Sequence, residues 1–320
     1  MDLFLNILYL ILGSAGLYFG ADFLVAGGVA IAKKAGVSAL VIGLTLVAFA
    51  TSAPELVVSI SAALSQNPSI ALGNVIGSNI FNIAVILGLC AVINPVRVQI
   101  QSIKFDAPVM ILATLLLTVF YFYFQDHSLS RWQGFILFAG LIAYTLWSII
   151  ASRKEEVNKD TDNEEEKTER KINIFKAIAL VCLGFAGLVT GAKLFLWGAI
   201  FMAKLCNMPE AVIGLTIVAA GTSLPELATS IVAAIKHEDD IAIGNVIGSN
   251  IFNILCILGI TAMICPLEGA TLSLLDFSVM LGVSVLLFIM MLTGRKVSRL
   301  EGGILVASFI TYTAYLITSM

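Results

Sequence analysis

The chain has 320 residues, 59 % apolar and 12 % charged, with a net charge of −3 and a mean hydropathy of +1.00. A water-soluble globular chain is nearer half apolar and a quarter charged. The composition excludes a soluble domain and gives no footing for nucleic acid. It predicts an all-α integral membrane protein whose surroundings are a lipid bilayer.

A helix needs about 20 apolar residues to cross a ~30 Å hydrocarbon core. Polar interruptions leave ten candidate spans: 3–32, 38–65, 69–94, 106–124, 132–151, 173–205, 209–236, 240–265, 275–293 and 301–319. The first has no basic leader region and no small-residue cleavage site, which predicts a retained helix. It carries Asp22, read as facing water or snorkelling. The second span holds Thr51-Ser52-Ala53-Pro54-Glu55, and the third opens on GNVIGSNIFN at 73–82. Asp106 begins the fourth span, where helix N-capping suffices as its role. Residues 152–171 hold eight acids and six bases, and read as a solvated linker. The sixth span carries Lys193, read like Asp22 and not as its ion-pair partner. The seventh holds Thr222-Ser223-Leu224-Pro225-Glu226, and the eighth returns GNVIGSNIFN unchanged at 244–253. Asp276 begins the ninth span and is read like Asp106. The five cysteines form no CxxC pair and read as small apolar filler.

Lys and Arg set the orientation. With the N-terminus outside, the inner loops hold fourteen basic residues and the outer loops only Arg131 and Lys204. Basic residues gather on the cytoplasmic side. Both termini are therefore expected outside, in a cell (inner) membrane.

The chain repeats itself at an offset of 171. VIGLTLVAFATSAPEL (41–56) returns as VIGLTIVAAGTSLPEL (212–227). Further on the offset drifts, so that Arg131 and Gly134 match Arg299 and Gly302. The expected domains are 1–151, a first five-helix unit; 152–172, a hydrophilic cytoplasmic linker; and 173–320, a second unit. Five is odd, so the second unit enters the membrane from the opposite face. Two inverted five-helix repeats are a common plan of secondary transporters.

Charges at mid-membrane depth carry most information, because each costs about 2.5–3.5 kcal/mol to insert. Glu55 and Glu226 sit there as repeat mates. Proline lacks an N–H and clashes with the carbonyl four residues earlier. Pro54 and Pro225 are thus expected to free the Ala50 and Gly221 carbonyls and to loosen those of Ala48, Thr51, Ala219 and Thr222. Such backbone is tolerated only where it lines a cavity or is buried. Asn74, Ser78 and Asn82 share one face of the third span, as Asn245, Ser249 and Asn253 do on the eighth. Asn74 and Asn245 read as bonds between helices; Ser78, Asn82, Ser249 and Asn253 read as facing the central carboxylates. Gly73, Gly77, Gly244 and Gly248 form GxxxG pairs that permit close helix approach. Two bidentate glutamates plus the Thr51 and Thr222 carbonyls approach the six to eight oxygens Ca²⁺ takes at about 2.3–2.6 Å. The same atoms could hold Na⁺ in smaller groups. The histidines, His127 and His237, lie in loops, so the imidazole expected for Zn²⁺ or copper is missing.

GTSLPE with GNVIGSN, in two inverted halves, resembles the cation/calcium exchanger superfamily, specifically prokaryotic-type sodium/calcium exchangers. The resemblance implies alternating access around a central site with Glu55 and Glu226 as principal ligands. It implies further ligands from Thr51, Ser52, Ser78, Asn82, Thr222, Ser223, Ser249 and Asn253, and from the Ala48 and Ala219 carbonyls. It also implies that the long first and sixth helices slide during the switch. Two positions depart from the pattern. Ala50 stands where the family often has Gly, and Asn253 where it often has Asp, which leaves two carboxylates instead of three. The expected function is Ca²⁺/Na⁺ antiport, with a Ca²⁺/H⁺ or K⁺-dependent exchanger as the alternative. A cation channel is less favoured, and an intramembrane protease is disfavoured by the lack of a span histidine or a GxGD motif. No enzyme activity and no cofactor are expected beyond the transported Ca²⁺ and Na⁺. No protein partner is indicated, and a monomer is the working expectation.

Overall fold

The computed structural model describes residues 3–124, 128–162, 173–206, 208, 219–270 and 272–319. These are almost wholly helical. In chain order the main helices are α1 (Leu3–Ala35), α2 (Ala39–Thr51), α3 (Ala53–Leu64), α4 (Pro68–Ile93), α5 (Ser102–Tyr123) and α6 (Arg131–Asp162). They continue as α7 (Ile174–Leu205), α8 (Leu224–Ile235), α9 (Asp239–Ile264), α10 (Leu274–Gly294) and α11 (Arg299–Ser319). Among the described residues eight helices are long and apolar enough to cross a membrane, or nine if α2 and α3 count as one span. The expected seventh span contributes a short turn, Ala219–Gly221, and α8; its residues 209–218 lie outside the described set.

The expected span 38–65 is a broken helix. α2 and α3 meet at Ser52 with a bend of 47°. The proline does not interrupt a helix from within. It sits in the first turn of α3, where its missing N–H costs nothing because the first helical N–H groups have no partner anyway. The expected linker also differs. α6 continues through residue 152 to Asp162, since Glu, Lys and Arg are good helix formers and the apolar stretch before them has already nucleated the helix. Ser152 lies at this junction and accepts a hydrogen bond from the Ser38 amide at 2.8 Å, pinning the start of α2.

Among the described residues α1 and α7 form the largest helix contact. Glycines make it possible. A methyl built on Gly13, Gly20 or Gly27 would fall 2.5–2.8 Å from Phe195, Leu188 or Val181. Residue numbers rise along α1 as they fall along α7, so the two helices run antiparallel. The glycine positions recur at the repeat offset: Gly184, Gly191 and Gly198 meet Leu24, Leu17 and Leu10 in the same way. The outer helices cross between copies. Gly88 of α4 packs on Gly302 of α11, and Gly259 of α9 packs on Gly134 of α6. Short strand pairs close both arrangements. Val96 pairs with Val297 in β1 (Val96–Arg97) and β2 (Lys296–Val297), and Leu129 bridges Leu267.

The packing is unequal in one respect. α1 lies along α8, whereas α7 has no comparable contact with α3. Asp22 of α1 forms an ion pair with Lys236 at the end of α8. This corrects the reading of Asp22 as a lone snorkelling charge. Lys193 does not pair with it, as expected; its ammonium lies 5.2 Å over the Trp197 ring. The capping expectation holds only for Asp276, which forms a capping box with Ser273. Asp106 makes no capping bond. It is buried at the end of a wide helical turn (Ser102–Asp106) and accepts a bond from Tyr144 Oη at 2.9 Å.

Candidate ion-binding site

Each copy brings a broken helix and a helix with a widened turn to the same place. Ser52 (φ −83°, ψ 4°) and Ser223 (φ −90°, ψ 9°) are the break points. Pro54 and Glu55 fall in the first turn of α3, and Pro225 and Glu226 in the first turn of α8. Helix N-termini carry partial positive charge, so each carboxylate sits where its helix favours an anion. In α4 a π-helical turn covers Asn82–Leu87, and in α9 one covers Asn253–Leu258. Such turns are frequent at functional sites because they disturb the regular backbone bonding. Both begin on an asparagine that the sequence assigned to the site.

The two copies then exchange partners. Ser52 Oγ donates to Glu226 Oε1 at 2.9 Å, and Ser223 Oγ donates to Glu55 Oε1 at 3.0 Å. Each glutamate is held by the serine of the opposite copy. Ser223 Oγ also lies 3.3 Å from Ser78 Oγ. Thr51 lies close to the Glu226 carboxyl and Thr222 close to that of Glu55. Thr51 Oγ1 is 3.1 Å from Asn245 Oδ1 and 3.3 Å from the Ala48 carbonyl. The Ala48 carbonyl is not bare, since it also accepts from the Ser52 amide at 3.0 Å. In the other copy Ala219 begins the turn before the break, and the corresponding amide, Ser223 N–H, donates to the Ala220 carbonyl at 3.2 Å.

Burial is nearly complete. Thr51, Ser52, Glu55, Ser249 and Asn253 are 0 % exposed; Asn82, Ser223 and Glu226 are 1 %, and Ser78 is 5 %. Buried polar atoms are ordinarily hydrogen-bonded. Here Glu55 Oε2, Glu226 Oε2, Asn82 Oδ1, Asn253 Oδ1 and Ser249 Oγ have no hydrogen-bond partner among the described residues. A cluster of such oxygens is what a cation needs and what a protein would otherwise avoid. Among the described residues no three His, Cys, Asp or Glu side chains gather as a metal site, so the donors are two carboxylates with amides and hydroxyls. That set suits hard cations such as Ca²⁺ and Na⁺.

Asn74 and Asn245 act as expected, as struts. Asn74 Nδ2 donates to the Glu55 carbonyl and to Ser59 Oγ; Asn245 Nδ2 donates to the Glu226 carbonyl and to Ser230 Oγ. They brace the first turns that carry the carboxylates. The GxxxG expectation holds on α9, where methyls built on Gly244 and Gly248 would strike the α2 backbone within 2.8 Å. The repeat counterpart of that α2 segment lies outside the described residues, so the approach to Gly73 and Gly77 is not described. The sequence reading passed over Asn79 and Asn250. Asn253 Nδ2 donates to Asn79 Oδ1 at 3.0 Å, and Asn82 Nδ2 donates to Asn250 Oδ1 at 3.2 Å. The signal was available, because both letters belong to the repeated decapeptide. They lie off the Asn74-Ser78-Asn82 face, which drew attention away from them.

The family model described as sodium/calcium exchanger protein matches residues 5–150 and 176–318. The chain belongs to the sodium/calcium exchanger family. It is 37 % identical to the sodium/calcium exchanger MaX1 of Methanosarcina acetivorans, with 97 % of this chain and 98 % of that one covered. It is 36 % identical to the putative antiporter CaxA of Alkalimonas amylolytica, with 98 % of each covered. Among solved structures, the sodium-calcium exchanger NCX_Mj soaked without Na⁺ and Ca²⁺ matches with a TM-score of 0.85 and 32 % identity, covering 98 % of this chain and 99 % of that one. This exchanger is thus a multi-pass membrane transporter. Family membership, apolar helices and a buried oxygen cluster agree on that level of description.

Proposed function

We propose that this exchanger moves Ca²⁺ against Na⁺ by alternating access, through a central site whose principal ligands are Glu55 and Glu226. The observation that carries the reading is the meeting of two buried carboxylates from opposite copies, each with an oxygen that has no hydrogen bond among the described residues; Asn82 Oδ1, Asn253 Oδ1 and Ser249 Oγ are three further buried oxygens of that kind. Two carboxylates balance the charge of one Ca²⁺. Thr51, Thr222, Ser52, Ser223, Ser78, Ser249, Asn82 and Asn253 supply hydroxyl, amide and backbone oxygens around them. The Ala48 and Ala219 carbonyls serve outer ion positions; for Ala48 this means sharing the oxygen with Ser52 and Thr51. Na⁺ and Ca²⁺ compete for these oxygens, and the switch between faces needs a loaded site. No further cofactor enters the cycle.

The chain is read as ten membrane spans in two inverted five-helix units, 1–151 and 173–320, joined through 152–172. Support comes from the antiparallel α1–α7 contact and from glycine pairs that recur at the repeat offset. Both termini are read as outside a cell membrane, a reading that the basic-residue asymmetry supports. On this orientation a membrane-impermeant thiol reagent labels exposed Cys206 from outside intact cells.

The test is ⁴⁵Ca²⁺ uptake into proteoliposomes loaded with Na⁺ and diluted into Na⁺-free buffer, with a pH gradient as the parallel arm. Uptake that needs internal Na⁺ and is lost in Glu55→Gln supports the proposal. Proton-coupled exchange is the second reading, favoured by an amide at position 253 where relatives often carry an acid. Uptake driven by the pH gradient alone would establish it and overturn Na⁺ coupling. A current that needs no counter-ion would mean a channel.

A further inference from the structure

We infer that Asn79 and Asn250 are positioning residues that fix which atom Asn253 and Asn82 turn toward the ion. The inference rests on the central-site reading above but concerns residues outside its ligand set. An asparagine amide has an oxygen that accepts and a nitrogen that donates, and rotation by half a turn exchanges them. A free amide in an empty site could face it with its N–H₂ hydrogens, which repel a cation, as readily as with its oxygen. Here the choice is made from across the molecule. Asn79 Oδ1 accepts from Asn253 Nδ2, and Asn250 Oδ1 accepts from Asn82 Nδ2. With each nitrogen occupied, Asn253 Oδ1 and Asn82 Oδ1 are left buried, without a partner among the described residues and free to coordinate. Turning either amide over would set two oxygens against each other and bury an unused N–H₂, so the network determines the orientation.

The supporting pair is itself oriented. Asn79 Nδ2 faces the Asn250 carbonyl at 3.4 Å and the Met280 sulfur at 3.7 Å, and Asn250 Nδ2 faces the Met110 sulfur at 3.5 Å. These groups accept and do not donate, so both amides keep Oδ1 pointed at the ligand asparagine. All four asparagines are at most 1 % exposed, which removes water as a competing partner. The arrangement also accounts for an amide at position 253. A carboxylate there could not donate to Asn79 Oδ1. Asn79 would have to turn over and lose its contact with the Asn250 carbonyl.

The test is a double-mutant cycle on ⁴⁵Ca²⁺ equilibrium binding to the purified full-length exchanger. Asn79→Ala is made alone and together with Asn253→Asp; Asn250→Ala with Asn82→Asp repeats the cycle at the mate position. Loss of one orienting hydrogen bond is expected to weaken Ca²⁺ binding by roughly 3- to 10-fold, with the number of sites per protein unchanged. An aspartate presents an oxygen whichever way it turns. In the Asn253→Asp background, Asn79→Ala is therefore expected to change affinity by less than about 2-fold, or to improve it. Equal losses in both backgrounds, or a fall in site number at constant affinity, would make Asn79 a structural residue and overturn the inference. Where an alanine variant does not fold, Asn79→Ser keeps a polar group that is too short to reach Asn253 and gives the same comparison. If the unmutated protein binds no Ca²⁺ at all, the central-site reading fails first; binding with an additive cycle sinks the positioning role alone.

Discussion

The crossed serine–glutamate bonds make a prediction that separates this structure from a reading of each motif by itself. In sequence Ser52 belongs with Glu55, three residues away. In the structure it donates to Glu226 Oε1 at 2.9 Å. A hydrogen bond to a charged group contributes about 1.5–3 kcal/mol, and one between neutral groups about 0.5–1.5 kcal/mol. Replacing Glu226 by Gln keeps an acceptor but removes its charge, so Ser52→Ala should cost about 1–1.5 kcal/mol less in that background. The pair Ser52→Ala and Glu55→Gln should be additive to within about 0.5 kcal/mol. At about 2–4 °C per kcal/mol for a chain of a few hundred residues, the crossed cycle departs from additivity by a few degrees. Thermal unfolding in detergent without Ca²⁺ or Na⁺ can be followed with a thiol-reactive dye, because Cys90 and Cys256 are buried and become reactive only on unfolding. The mirror cycle, Ser223→Ala with Glu55→Gln, should show coupling of the same sign. Coupling between Ser52 and Glu55 that equals or exceeds that between Ser52 and Glu226 would refute the exchange of partners.

Three further outcomes are expected. Gly20→Ala and Gly191→Ala place a methyl 2.6 and 2.7 Å from backbone nitrogens of the opposite helix, and should each lower stability by about 1–3 kcal/mol. Gly303→Ala meets nothing within 4 Å and should raise stability by up to about 1 kcal/mol through helix propensity; the same dye assay checks the opposite signs. Lys236→Ala breaks the pair with Asp22, whose side chains are 38 % and 28 % exposed, so the loss should stay below about 1 kcal/mol and shrink further in high salt. Tyr144→Phe removes the donor to fully buried Asp106, whose Oδ2 has no partner among the described residues, and should cost about 1–3 kcal/mol. Tyr312→Phe at the mate position should cost less, because Asp276 keeps its bonds from Ser273; thermal unfolding of the two variants gives the comparison.

Much of this was legible in the chain because hydrophobic runs and breaks are local properties. The expected spans 3–32, 173–205 and 275–293 end within three residues of α1, α7 and α10. Pro54 and Pro225 announced the broken helices, because proline chemistry acts on its own neighbourhood. What escaped depends on distance through space. Asp22 and Lys236 lie on different helices 214 positions apart, and nothing local marks them as partners. Asp106 has the sequence position of a capping residue, but packing against α6 brings Tyr144 to it. The helix running on to Asp162 escaped for another reason. Charged residues exclude a membrane span, but Glu, Lys and Arg do not exclude a helix. Asn79 was hidden by treating the third span as one face looking at the site, when its side chain bonds Asn253 of the other copy.

Four of the bonds between copies share one spacing, and it bears on why the decapeptide is repeated without change. Ser52 reaches Glu226, a separation of 174; Ser223 reaches Glu55, a separation of 168. Asn253 reaches Asn79 over 174, and Asn82 reaches Asn250 over 168. Both sets are the repeat offset of 171 plus or minus three, so a residue in one copy bonds the counterpart of its own neighbour one helical turn away. Asn79, Asn82, Asn250 and Asn253 therefore each have a partner in the opposite copy, whereas the Asn74 and Asn245 side-chain nitrogens brace their own copies. A change in one copy leaves a buried group unpaired in the other, at a cost of about 1–3 kcal/mol. Apolar letters such as Leu46, which returns as Ile217, carry no such tie and have drifted. The exchange also means that neither copy can assemble the site alone: each supplies a carboxylate, and the other supplies the hydroxyl that holds it.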